Sequence, residues 1–109
     1  MLPKATQAVV DPTKIRDYLL SRSHPVGRFK AAVFHALGYT QDDWPRLRDD
    51  LLAHALSGEA TARERGPHGK KYVVSGTLTG PNGRNGKFTS VWLVPNNSPA
   101  PRFVTAYPE

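Results

Sequence analysis

At 109 residues, 39% hydrophobic and 22% charged, the chain has the length for one domain with a modest core and too much apolar content for disorder. It has no cysteine, which excludes disulfides, thiolate metal sites and a cysteine nucleophile, and no apolar run of membrane-spanning length. Fifteen Lys and Arg against nine Asp and Glu give a net charge of +6, with eight basic and six acidic residues before Glu59 and seven basic and three acidic from Glu59 onward. The second half is therefore the more positive, which suits a polyanionic partner.

Residues 1–10 show no period and read as a tail or a short edge strand, without the layout of a signal peptide. Asp11-Pro12 is a helix start, because Asp accepts from orphan N–H groups and Pro fits the first helical position. Ile15, Tyr18 and Leu19 then give an apolar stripe to a helix over 12–22. Ser23-His24 interrupts it, and Pro25 restarts a helix that runs to 37. Val26, Phe29, Val33 and Leu37 line one side of that helix, and Gly38 ends it. Thr40 and Asp43 resemble a capping arrangement for a third helix, with Trp44, Leu47, Leu51 and Ala55 on one face and Gly58 at its end.

After Gly58 the period changes. Residues 60–65 predict an exposed edge strand, Gly66 to Gly69 a turn, and 70–78 a strand in which Gly76 marks a bulge or a close approach. Gly80 to Gly86 is a turn rich in residues that tolerate positive φ. Residues 87–94 alternate, with Phe88, Ser90, Trp92 and Val94 on one face. Residues 102–107 close the chain, with Phe103, Thr105 and Tyr107 on one face and Val104 and Ala106 on the other. The expected fold is a single α+β domain over 1–109. Three N-terminal helices (12–57) pack on one face of a three- to four-stranded antiparallel sheet (59–108).

The stretch from His24 to Lys30 holds a proton carrier and two cations, Arg28 and Lys30, around a helix start. A second histidine, His68, lies in a turn beside Lys70 and Lys71. Histidine titrates near neutrality, so it can take a proton from a ribose 2′-hydroxyl or give one to a leaving 5′-oxygen. Cleavage of RNA by its own 2′-hydroxyl needs those two transfers and a positive group on the phosphorane, and no metal. Lys30, Lys71 or Arg84 can supply the charge, and Thr105 or Tyr107 a hydrogen bond to phosphate. Phe88, Trp92, Phe103 and Tyr107 are candidates to stack bases. His35 and His54 fall inside helices, where surface or half-buried structural roles are expected. The histidines are too widely spaced for a metal site, and no Gly-Lys-Ser/Thr follows the glycine-rich turn, so neither a metal nor a nucleotide cofactor is expected.

The segments HPVGRFKAAVFHALGY, GKKYVVSGTLTGPNGR and VWLV…PRFVTAYP resemble a bacterial family of small domains over about residues 12–108. That family occurs as stand-alone proteins and at the C-termini of large secreted toxins and adhesins. The layout also resembles the barnase, colicin and RelE-like group of metal-independent ribonuclease toxins. This second resemblance implies His24 and Lys30 from an early helix, Lys71 from the middle of the sheet, and Thr105 and Tyr107 from a late strand. It assigns His24, Lys30, Lys71 and Thr105 to catalysis, and Arg28, His68, Lys70, Arg84, Lys87 and Tyr107 to RNA. It further implies an acidic antitoxin or immunity partner and action in the cytoplasm, whether the chain is a stand-alone toxin or derives from a secreted one. The alternative reading is a non-catalytic basic module that binds nucleic acid or an acidic protein.

Overall fold

The first helix begins as its residues dictate. The Asp11 carboxylate accepts from the Thr13 N–H at 3.0 Å and the Thr13 hydroxyl at 2.9 Å, which holds its pKa below the ordinary value. Here a computed structural model describes residues 2–21, 23 and 28–109, with the backbone alone for Phe29 and Glu64. Helix α1 (Pro12–Lys14) runs straight into a π-wound turn (Ile15–Leu19), closed by the Leu20 N–H on the Ile15 carbonyl at 2.9 Å. The regular helix expected over 12–22 is therefore shorter and wider. The wider turn buries Ile15, Leu19 and Leu20 together, which one stripe of a 3.6-residue helix does less well. Tyr18 stays half-buried on its rim.

Helix α2 (Arg28–Ala36) buries Ala31, Phe34 and then Leu37, with Val33 only half-buried. The expected stripe is thus rotated toward Ala31 and Phe34. Val26 and the expected start at Pro25 lie outside the described residues. Gly38 ends the helix at φ 96°, a left-handed value that suits glycine. Buried Tyr39 follows and donates its hydroxyl proton to Asp50 Oδ2 at 2.6 Å, so burial first and this hydrogen bond second push its pKa well up. The next helix, α3 (Trp44–Ser57), is preceded by the Thr40 hydroxyl accepting from the Asp43 N–H at 3.2 Å. It buries Leu47, Leu51, His54 and Ala55, while the ion pairs Arg46–Asp50 and Arg48–Asp49 lie on its outer side.

Four strands form one antiparallel meander in the order β1 (Glu59–Gly66), β2 (Gly69–Thr79), β3 (Asn85–Pro95) and β4 (Arg102–Pro108). Val74 and Leu78 from β2, with Phe88, Ser90 and Trp92 from β3, are buried on the helix side. Phe34 stacks on Phe88 with ring centroids 5.1 Å apart, and Trp92 meets Phe103 edge-on at 5.3 Å. These three sheet aromatics are core, which removes Phe88, Trp92 and Phe103 as base-stacking surfaces and leaves Tyr107 exposed. A Cβ on Gly76 would stand 3.2 Å from His54 Nε2, so the expected close approach is real and lets α3 lie flat on β2.

His54 is more buried than expected, at 3% exposure, and its polar atoms are satisfied. Its Nε2 faces the Phe88 carbonyl at 3.2 Å and its Nδ1 the Ser90 hydroxyl at 2.9 Å, while Trp92 Nε1–H donates to the same hydroxyl at 2.8 Å. One assignment satisfies all of them. Ser90 accepts from Trp92 and donates to Nδ1, and Nε2–H donates to the carbonyl, so the ring is neutral. His35 is also structural, its two nitrogens facing the Tyr39 and Leu20 carbonyls at 2.8 and 3.0 Å.

The N-terminal segment packs instead of trailing, with Leu2, Ala5 and Val10 buried. Val9 forms a parallel bridge with Arg102, giving its N–H to the Pro101 carbonyl and taking the Phe103 N–H, each at 2.9 Å. The alternation expected in β4 fails. Thr105 pairs with Val91 and Phe103 with Trp92, so Val104 is an extra residue, and Phe103 and Ala106 are both buried. A bulge bends its strand and re-aims the neighbouring side chains.

Candidate active site

That bulge lies where α2 meets the free edge of β4. Lys30 stands one residue before buried Ala31, on the rim of the α2 core face, so its stem lies along the core while its ammonium reaches out. Lys30 Nζ donates to Thr105 Oγ1 at 2.9 Å and to the Tyr18 hydroxyl at 3.2 Å. Residues 18, 30 and 105 thus converge from the π-turn, α2 and the bulged strand. An ammonium has three protons, so Lys30 retains one donor without a partner among the described residues, and Thr105 still holds its own hydroxyl proton.

The groove in front of Lys30 has a volume of about 570 Å³ and is lined by Thr13, Lys14, Asp17, Tyr18, Lys30, Val104 and Thr105. That is room for a nucleotide-sized ligand. Asp17 does not cancel the lysines. It is gripped by Arg16, whose Nε and Nη2 donate to its two oxygens at 2.9 and 3.0 Å, and this contact lowers its pKa. Lys14 and Lys30 therefore set the sign of the groove, and an anion is the ligand that it favours.

Of the residues singled out from sequence, Lys30 and Thr105 come together across 75 positions. His24 lies outside the described residues. Arg28 is exposed at the start of α2. Lys71 and His68 do not join Lys30. They line a second groove, of about 310 Å³, with Arg65, Gly66, Pro67, Gly69 and Leu93. Lys70 sits 5.5 Å from the Tyr72 ring centroid, while Arg84, Lys87 and Tyr107 are exposed. Arg84 follows the far end of β2, whose eleven residues at a rise of ~3.3 Å separate it from Lys70 by roughly 30 Å. One compact site cannot contain all of them. Tyr18 and Lys14 were missed, because Tyr18 reads as part of an apolar stripe and nothing in the local pattern announces a π-turn.

Among the described residues the ion pairs are Arg16–Asp17, Arg46–Asp50 and Arg48–Asp49, all in the helical half. No group of three His, Asp or Glu among the described residues could hold a metal ion. No helix among them is long and apolar enough to cross a membrane.

The fold is similar to that of a chain in a solved contact-dependent growth inhibition toxin–immunity protein complex from Klebsiella pneumoniae 342. The TM-score is 0.76 at 22% identity, over 94% of this chain and 100% of that one. No curated protein matches the sequence. The family model described as a domain of unknown function, DUF6883, matches residues 1–109, and the chain belongs to that family.

Proposed function

We propose that this chain is a toxin domain that cleaves RNA by metal-independent transesterification in the Lys30 groove. The observation that carries this reading is the Lys30 ammonium, fixed by Thr105 and Tyr18, with an unspent donor facing a groove of nucleotide size. In the reaction the ribose 2′-oxygen loses its proton and attacks the adjacent phosphorus. The P–O5′ bond then breaks and the 5′-oxygen takes up a proton, leaving a 2′,3′-cyclic phosphate and a 5′-hydroxyl. Lys30 meets the charge that builds on the non-bridging oxygens, and the Thr105 hydroxyl donates to the same phosphate. His24, assigned on sequence alone, carries the proton. Similarity to a chain of a toxin–immunity complex supports a protein partner of that kind, and an acidic one would complement the basic groove.

The test is induced expression in bacteria of wild type, Lys30→Ala and His24→Ala, with total RNA examined for fragments ending in 2′,3′-cyclic phosphate. Growth arrest with such fragments from wild type, and a loss of at least 100-fold in Lys30→Ala, is expected. Intact RNA in cells holding folded wild type overturns the reading. A second reading, a non-catalytic module, draws on the seven cations of the sheet half, none of which forms an ion pair with a described residue. It predicts small losses spread over many of them.

A further inference from the structure

The second groove is built, and nothing in the chemistry above uses it. It lies where the β1–β2 turn, Pro67-His68, meets the loop after β3. Asn96 ties the two together. Its side-chain amide donates to the Pro67 carbonyl at 3.1 Å, its backbone N–H reaches the His68 carbonyl at 3.4 Å, and its Oδ1 accepts from Arg65 Nη1 at 2.7 Å. Arg65 is therefore a held guanidinium, with one nitrogen anchored and the rest of its fork available. Lys71 and His68 line the same concavity, and Leu93 and Pro67 give it apolar wall. No carboxylate lines it, and neither Arg65 nor Lys71 forms an ion pair with a described residue.

A planar guanidinium fixed at one end, an ammonium and an imidazole around a small concavity make a receptor for a phosphate group. An acidic protein chain would engage a broad convex surface equally well and has no need of a cavity of about 310 Å³, the size of one nucleotide. The location fits a chain of linked phosphates. Lys71 lies on β2, two strands in from Thr105 on β4, ~10 Å across the sheet, so one single strand can reach both grooves.

We infer that the Arg65–His68–Lys71 groove is a separate docking site for a backbone phosphate of single-stranded RNA, a few nucleotides from the phosphate held at Lys30. This rests on the ribonuclease reading for its ligand, but its test does not depend on cleavage. The probe is a fluorescent 12-nucleotide RNA with 2′-deoxy sugars throughout, which cannot be cut, titrated into the full chain by anisotropy at several salt concentrations. Arg65→Gln with Lys71→Gln should weaken binding at least tenfold and lower the salt slope by about 1.4, at ~0.7 per lost phosphate contact. Arg65→Lys, which keeps the charge and loses the fork, should fall between. Arg84→Gln with Lys87→Gln, equal in charge but far from the groove, should change binding less than threefold. Cleavage of a dinucleotide, which reaches only the Lys30 groove, should be unaltered by the Arg65 and Lys71 changes.

Equal losses from the two double variants, or binding within twofold of wild type for Arg65→Gln with Lys71→Gln, overturn the docking site, as does a loss confined to an acidic protein partner. Because both residues are exposed, circular dichroism should show all variants folded. Groove-specific binding without any cleavage would uphold the docking site while defeating the ribonuclease reading. Dinucleotide cleavage without groove-specific binding would do the reverse.

Discussion

At the scale of single residues, two lysines with the same formal charge have different surroundings. Lys30 is half-buried and spends two of its three donors on Thr105 and Tyr18, while Lys71 is exposed. Removing a hydroxyl partner should therefore matter only at the first. Thr105→Val, which keeps the shape and loses the oxygen, should cut RNA cleavage by about tenfold to 100-fold, the span of one lost hydrogen bond to a charged group. Its unfolding midpoint in urea should stay close to that of wild type. The buried histidine behaves in the opposite way. Ser90→Ala strands both Trp92 Nε1–H and His54 Nδ1 and should cost roughly 2–4 kcal/mol in urea unfolding, with no direct effect on the groove. That His54 is core was only partly legible, since a histidine at helical spacing beside Leu51 and Ala55 looks the same whether it faces water or a serine three strands away in sequence.

At the scale of elements, the four strands and the boundaries of α3 were legible because period 2, period 3.6 and the glycine-rich turns agree there. What was not legible is irregular: the π-turn after Lys14 and the bulge at Val104. Each inserts one residue without changing composition, and each carries part of the candidate site. Alternation places Thr105 with Phe103, whereas the bulge separates them and frees Thr105 for Lys30. A third element-level device is Glu109, whose carboxylate accepts from the Ser75 and Thr89 hydroxyls on β2 and β3, the face that no helix covers. These bonds lower its pKa below the ordinary 4.5. A carboxylate with a depressed folded-state pKa stabilises above its unfolded value, and that contribution disappears as pH falls through the folded value. Thermal melts of wild type and Glu109→Gln should differ at pH 6 and converge as the pH drops below about 4.

At the scale of the whole molecule, charge is segregated. The helical half pairs three of its carboxylates with arginines, while the sheet half holds Arg63, Arg65, Lys70, Lys71, Arg84, Lys87 and Arg102 outside any ion pair among the described residues. Such a chain repels itself, and added salt screens the repulsion. Tm should therefore rise between about 10 and about 300 mM NaCl, whereas a protein whose charges were mutually paired would show a fall or no change. The uneven charge was readable from the sequence. Its division into two grooves was not, because that depends on which turn Asn96 ties down.

The 75 positions between Lys30 and Thr105 also have a consequence in time. A ribosome delivers Lys30 early and β4 last, and β4 can pair only after β3 has been laid down beside it. Until then the ammonium has no strand to meet and the groove has no far wall. A chain built this way is harmless while it is being made or threaded, and becomes complete in a single closing step at its final strand. A partner that is to protect the producing cell has that step, and nothing earlier, to intercept.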